Sequence, residues 1–397
     1  MLETLPGCGT DMPEGRAGSQ KHLNLLAYVH LRNIHGSTGA GRVARQMTEH
    51  LAMRTDINLH VLADAADHRR VVPLVDRPWS EFSYHFLEAE TSRQQAKWFL
   101  LDRPRAERYW AEADILYCTA ESYVPVKTAK LAVTLHDAAY LEENAHSRNV
   151  SFQRQKLKWR LLYGKLARSA DMFHTVSHFS AERLAYFYPQ IKDRLRVVHN
   201  AVAPHFFQPV MPPGVSYLES AGLSDEPFIL VPGGLHYRKN ADLILEAWPL
   251  LRQLRPELTL AIVNHSDPIY RDKARSLGSS IRLLGFVPDH ALRALYSAAQ
   301  LVWFPSRYEG FGLPVIEAMA CSAAVVASDS SSLPEITGEA ALLASPTNPS
   351  DHVDAIDAIL SKAPFRDDLR ARGKARAANF TWTNSAAKLK GYFDQLF

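Results

Sequence analysis

Cysteine is scarce in this chain of 397 residues. Cys8, Cys118 and Cys321 are odd in number, far apart and form no C-x-x-C, which argues against a disulfide framework and a structural zinc site. Cys321 follows an apolar stretch and reads as a small buried residue. Long apolar runs are also missing, and none approaches the ~18 residues a membrane-spanning helix needs. There is no low-complexity block and no short internal repeat. Residues 1–20 are polar and rich in Gly and Pro. They lack the apolar core of a signal peptide and are expected to form a flexible leader on a cytoplasmic protein. Strong net charge is absent as well, at +3 overall, and nothing in it calls for nucleic acid. Residues 1–205 carry 27 Lys+Arg against 22 Asp+Glu, and the remainder 18 against 20. The basic half either meets something anionic or has a mildly uneven surface.

What is present is alternation. Short apolar runs at 24–29, 58–63, 115–120, 130–136, 172–177 and 194–200 read as strands, and 39–53 as a helix. A proline-rich break near 203–226 is followed by a second series at 227–234, 258–264, 281–286, 299–305, 323–328 and 340–345, with a helix over 241–254. Strands separated by helices predict parallel sheets covered on both faces. At this length, two domains are expected rather than one. The boundaries read as a leader at 1–20, a first domain at 21–205, a linker at 206–226, a second domain at 227–375, and a final helix at 376–397 that packs back on the first domain. In such sheets ligands bind at the carboxyl ends of the strands, so two facing sheets make a cleft suited to bringing two substrates together.

The most informative stretch is Ser306-Arg307-Tyr308-Glu309-Gly310-Phe311-Gly312-Leu313-Pro314-Val315-Ile316-Glu317. It links a strand to a helix. Pro314 suits the first helical turn. Gly310 and Gly312 let the backbone approach a ligand, and free N–H groups at a helix N-terminus favour phosphate. Glu317, expected in the first turn, would accept hydrogen bonds from ribose hydroxyls, and Glu309 would lie near a sugar. A second stretch, Gly233-Gly234 followed by Arg238-Lys239, offers two adjacent cations after another strand. These could neutralise a diphosphate leaving group.

Residues 283–345, with the Glu-x7-Glu pair Glu309 and Glu317, resemble the C-terminal domain of glycosyltransferase family 4, and mannosyltransferase-like bacterial members in particular. The resemblance covers roughly residues 24–390. It implies an α/β GT-B fold, two doubly wound Rossmann-like domains facing a central cleft. It implies that Glu309 contacts the transferred sugar, that Glu317 holds ribose, and that the amides of Gly310, Phe311, Gly312 and Leu313 meet the diphosphate. The Gly-x-Leu-x-x-Arg-Lys-Asn pattern at 233–240 matches the family's phosphate-binding cations, Arg238 and Lys239. Gly234 departs from it, standing where many members carry a further Arg.

In the first domain, the glycine-rich stretch at 36–45 is as consistent with a tight turn as with a phosphate contact, and the family pattern selects Gly39 and Gly41. His136, in Thr-Leu-His-Asp at the end of a strand, matches the family's His-Asp motif, which implies a hydrogen bond to the donor sugar. His199 is a lesser candidate at the cleft rim. Between 151 and 170 six cations and no acid alternate with aromatic and aliphatic residues. This helix either lies on an anionic membrane surface, making the protein peripheral at the inner face, or is an ordinary surface helix.

The implied reaction moves a hexose, mannose from GDP-mannose as first choice, from a nucleoside diphosphate sugar to a saccharide or lipid-linked saccharide with retention of configuration. The expected setting is polysaccharide or lipopolysaccharide assembly. The absent Asp-x-Asp pair removes the usual metal clamp, so no cofactor and no metal is expected, and Arg238, Lys239 and the helix N-terminus carry the charge instead. A nucleotide-sugar 2-epimerase of related fold, or a non-catalytic subunit that binds nucleotide sugar, remains open.

Overall fold

The structure is a computed structural model that describes residues 22–34, 38–142 and 150–397, side chains of 150–152 excepted. The expected leader, Cys8, and Gly36 and Ser37 of the glycine-rich stretch lie outside the described residues. The first sheet holds β1 (Leu23–Tyr28), β2 (Ile57–Ala63), β3 (Ser83–Phe86), β4 (Ile115–Cys118), β5 (Lys130–Thr134), β6 (Met172–Thr175) and β7 (Leu195–Val197). The second holds β8 (Phe228–Pro232), β9 (Thr259–Val263), β10 (Ile281–Gly285), β11 (Leu301–Phe304), β12 (Val325–Ser328) and β13 (Leu342–Ala344). Their orders are β3-β2-β1-β4-β5-β6-β7 and β10-β9-β8-β11-β12-β13, and all neighbours run parallel.

Each order reverses direction once, between β1 and β4 and between β8 and β11. Those switch points open a crevice at the strands' carboxyl ends because the following loops diverge to opposite sides. The registers Leu25↔Ile115 and Ile229↔Leu301 fix the central pairs. β4, β8, β9, β11 and β12 are buried along their whole length, as parallel strands covered by helices on both faces must be.

Two segments differ from the sequence reading. β3 was not legible, since SYHF is a short edge strand with no fully buried residue and carries little apolar signal. The proline-rich connection is not all loop. Pro212–Ser220 is a helix that packs on the helix Asp289–Ala298, with Gly214 so close that a Cβ there would meet the His290 carbonyl at 2.9 Å. The last helix, Trp382–Asp394, crosses back to the helix Gly39–Ala52. It seats Phe393 against Tyr117, ring centroids 5.4 Å apart.

Candidate active site

The loop after β11 carries the Glu-x7-Glu pair. Gly312 has φ +96° and caps the helix Leu313–Ala320, a left-handed conformation that favours glycine. Pro314 sits in the first turn. Glu317 is the fifth helical residue, one turn deeper than the first turn expected for it. Among the described residues the N–H groups of Gly310, Phe311 and Gly312 meet no protein acceptor, so they stay free for an anion at the helix N-terminus. The Phe311 ring is buried, with its centroid 5.9 Å from that of Phe380, so Phe311 can serve the site only through its backbone. Leu313 lies 3.8 Å from where a Cβ on Gly39 would stand.

Glu309 is buried and receives the Lys239 ammonium at 2.7 Å, with Arg238 3.9 Å from its other oxygen. Burial alone would raise its pKa. The Lys239 and Arg238 charges outweigh that and hold the carboxyl below its ordinary value. The Lys239 ammonium is lowered chiefly by its own burial, against the attraction of Glu309, and stands 4.5 Å from the centre of the Phe304 ring. Arg238 is raised, first of all by Glu309.

The Arg238–Lys239 turn is tied to the end of β11. Asn240 donates to the carbonyls of Pro305 and Pro346 at 3.0 and 2.8 Å, and the Arg307 N–H donates to the Arg238 carbonyl at 2.9 Å. Gly234 has φ +74°, and a Cβ there would come within 1.7 Å of the His265 carbonyl. The chain path therefore favours glycine at this place.

The serine run after β12 was not singled out in the sequence, yet it fixes Glu309. Ser331 accepts the Glu309 N–H at 2.9 Å, and Ser332 donates to the Glu309 carbonyl at 2.9 Å. Three successive serines beside a strand end were the available signal.

Glu317 faces the first domain. Arg42 donates to it at 2.9 Å and to Asp289 at 2.5 Å, and the Tyr296 hydroxyl stands 3.4 Å away. Burial raises the Glu317 pKa. Arg42 opposes that rise and Asp289 adds to it. The sequence reading missed Arg42 because its partners lie more than 240 residues away.

The first domain also closes on the loop at Gly310. Ser177, which caps the helix His178–Phe187, donates to the Gly310 carbonyl at 2.6 Å, and Ser180 donates to it at 3.1 Å. A Cβ on Gly310 would stand 2.8 Å from Asp137, so glycine is demanded by the opposite domain. His136 lies two residues past the end of β5, its N–H held by Glu121 at 2.7 Å. Its Nε2 is buried without a partner, which leaves a polar atom for a ligand to satisfy.

Gly39 opens the helix Gly39–Ala52 at the cleft. Gly41 lies in the first turn of the same helix. Its N–H goes to the Thr38 hydroxyl at 3.2 Å, and a Cβ there would overlap the Asn33 carbonyl at 1.9 Å, so glycine at this place answers to helix packing.

His199 meets Glu335 at 2.6 Å, and Glu335 also accepts the N–H groups of His178 and Phe179. His178, His199 and Glu335 offer atoms within 4.8 Å of one another that could hold a metal ion. The Glu335 carboxylate is already engaged, and these residues join the two domains.

A cavity of about 770 Å³ opens on the first-domain side, floored by His30, Glu121 and Ser122. Leu157 and Leu161 are exposed at its lip, beside Arg154 and Lys158. The helix Val150–Ser169 buries Tyr163 and Leu166 on its other side. No helix among the described residues is long and apolar enough to cross a membrane.

Two parallel sheets meeting at a cleft, with a carboxylate–glycine loop on one side and a glycine-led helix on the other, define a GT-B glycosyltransferase. The family comparison agrees. The model for glycosyl transferases group 1 matches residues 218–376, and that for glycosyltransferase family 4 matches residues 37–206. The chain belongs to glycosyltransferase family 4 and is a transferase.

The O-antigen chain mannosyltransferase B of Escherichia coli is 29% identical over 365 residues, 87% of this chain and 93% of that protein. The serotype-specific mannosyltransferase WbdA of Escherichia coli is 30% identical over 229 residues, 55% of this chain and 28% of that longer protein. Among solved structures, sucrose-phosphate synthase from Thermosynechococcus elongatus superposes with a TM-score of 0.74 at 20% identity, covering 95% of this chain and 99% of that one. HepE of Anabaena, in complex with UDP and glucose, has a TM-score of 0.70 at 16% identity, covering 94% and 100%. These structural likenesses establish the fold.

Proposed function

We propose that the chain is a retaining, metal-independent mannosyltransferase that moves mannose from GDP-mannose to a saccharide or lipid-linked saccharide in surface polysaccharide assembly. The observation that carries this reading is the Lys239–Glu309–Arg238 cluster beside the free amides of Gly310 to Gly312. The similarity to mannosyltransferases supports the choice of sugar. The donor diphosphate would lie over those amides, with Arg238 and Lys239 taking up charge as the sugar–phosphate bond breaks. Glu309 would orient the sugar, and the His136 Nε2 would find its partner there. The departing phosphate would accept the acceptor's proton in a front-side attack. The acceptor would enter the cavity floored by His30 and Glu121. The exposed Leu157 and Leu161 with Arg154 and Lys158 would meet its lipid-linked part or an anionic membrane surface.

The test is donor binding and turnover by variants. Glu317→Ala should weaken GDP binding in calorimetry. Glu309→Ala should depress turnover more than GDP binding. Arg238→Ala and Lys239→Ala should each lower turnover about a hundredfold, the usual cost of removing a preorganised donor. Near wild-type turnover in both cation variants would place the diphosphate elsewhere. Binding of nucleotide sugar with neither transfer nor hydrolysis would leave a non-catalytic subunit.

A further inference from the structure

Arg42 sits where two cavities meet. One, of about 90 Å³, lies among Gly39, Val263, Asn264, Val287 and Pro314. The other, of about 660 Å³, runs past Arg45, Pro204, Met211 and Trp382. Arg42, Phe286, Leu313 and Glu317 line both. A small-molecule site needs on the order of 300 Å³ or more, so the smaller cavity cannot admit a nucleoside by itself. The two joined would be ample. The Arg42 guanidinium, which lines both, is bonded to Glu317 at 2.9 Å and to Asp289 at 2.5 Å.

A ribose diol and a guanidinium make the same demand on a carboxylate, since both offer N–H or O–H donors in pairs. Glu317 is buried and turned toward Arg42, so the guanidinium stands on the side from which a ribose diol would approach its Oε1. Arg42 is the side with the longer chain and more rotatable bonds. It hangs from the exposed end of the helix Gly39–Ala52 on a long side chain that is 27% exposed, whereas Glu317 stands in a helix with buried neighbours on both sides.

We propose that Arg42 is the gate of the donor site. Its guanidinium occupies the ribose's place on Glu317 and divides the nucleoside pocket, and nucleotide enters only when Arg42 swings away. The contact is one of several that tie the first domain to the second, and donor binding competes with it directly for Glu317. The inference rests on Glu317 being the ribose acceptor.

Calorimetry on the full chain with GDP, UDP and bare guanosine tests it. Arg42→Ala should bind GDP about tenfold tighter, the scale of one hydrogen bond to a charged group. Guanosine should gain as well, because the gate acts on the nucleoside. Arg42→Lys, which keeps the charge but loses the two-pronged contact, should fall between. A melting curve should show the Arg42→Ala protein folded. Unchanged or weaker nucleotide binding by Arg42→Ala, with Glu317→Ala also weakened, would overturn the gate and leave the ribose assignment standing. Unchanged binding by Glu317→Ala would remove the ribose assignment, and the gate with it.

Discussion

Glu309 and Glu317 stand eight residues apart, and both are buried, yet their surroundings push them in opposite directions. Burial raises both carboxyls. At Glu309 two cations reverse the effect, and at Glu317 one shared Arg, with Asp289 adding to the rise, does not. The signs follow. Glu309 has a folded value below its unfolded one, so its contribution to stability is present above the ordinary carboxylate value and is lost as the pH falls. Glu317 has a folded value above its unfolded one, so its contribution is full below the ordinary value and is lost as the pH rises through the folded one. Thermal unfolding of Glu309→Gln and Glu317→Gln between about pH 4 and pH 7 checks this. Relative to Glu309→Gln, the wild type should gain stability across that range. Relative to Glu317→Gln, it should lose stability. The same trend in both comparisons would contradict the arrangement. The sequence exposed both residues through the glycines and proline around them. It carried no sign of which would be held below and which above the ordinary carboxylate value, because that depends on groups brought up by the fold.

At the scale of elements, the glycine loop is gripped from two sides. Ser331 and Ser332 hold the backbone of Glu309 from within the second domain, and Ser177 and Ser180 hold the Gly310 carbonyl from the first. This makes the closed cleft sensitive to a single methyl group. Gly310→Ala would press a Cβ to 2.8 Å from Asp137, and overpacking of this kind costs about 1–3 kcal/mol. The expected outcome is a turnover lowered tenfold or more, since 1.4 kcal/mol is about a factor of ten. Calorimetry should show guanosine affinity changed far less, because Glu317 lies in the helix beyond the loop. A parallel loss of binding and turnover would mean that the loop itself collapses. The strands and helices that frame the loop were legible from apolar alternation. β3 was not, because a short half-exposed edge strand has no such alternation, and neither was the helix Pro212–Ser220, whose two prolines read as a break.

At the scale of the whole molecule, the two domains are joined by polar contacts at the cleft and by a continuous buried cluster around it. Arg42 to Glu317 and Asp289, His199 to Glu335, and Ser177 to Gly310 are the polar ones. Residues of both sheets, among them Leu25, Val61, Leu230 and Val325, share one apolar cluster. The groups facing the expected diphosphate are cations and amides, and the chain has no Asp-x-Asp pair. Transfer activity should therefore survive excess chelator. Loss of activity under chelator, restored by magnesium or manganese, would show that a metal takes part in the departure of the leaving group.

Sequence alone determined what depends on neighbours along the chain. The parallel two-sheet architecture came from alternating apolar runs, the helix start after the glycine loop from Gly-x-Gly followed by Pro, and the cation turn from Arg238-Lys239. Each is a local preference that the backbone expresses whatever lies opposite. Tertiary structure decided everything that depends on the facing domain. It placed Arg42 on Glu317, and Ser177 and Ser180 on the carbonyl of Gly310. It set Asp137 where a Cβ on residue 310 would press against it at 2.8 Å. These contacts join residues 130 to 275 positions apart, or depend on a backbone path no local pattern encodes, and so they existed only once both sheets had formed and met.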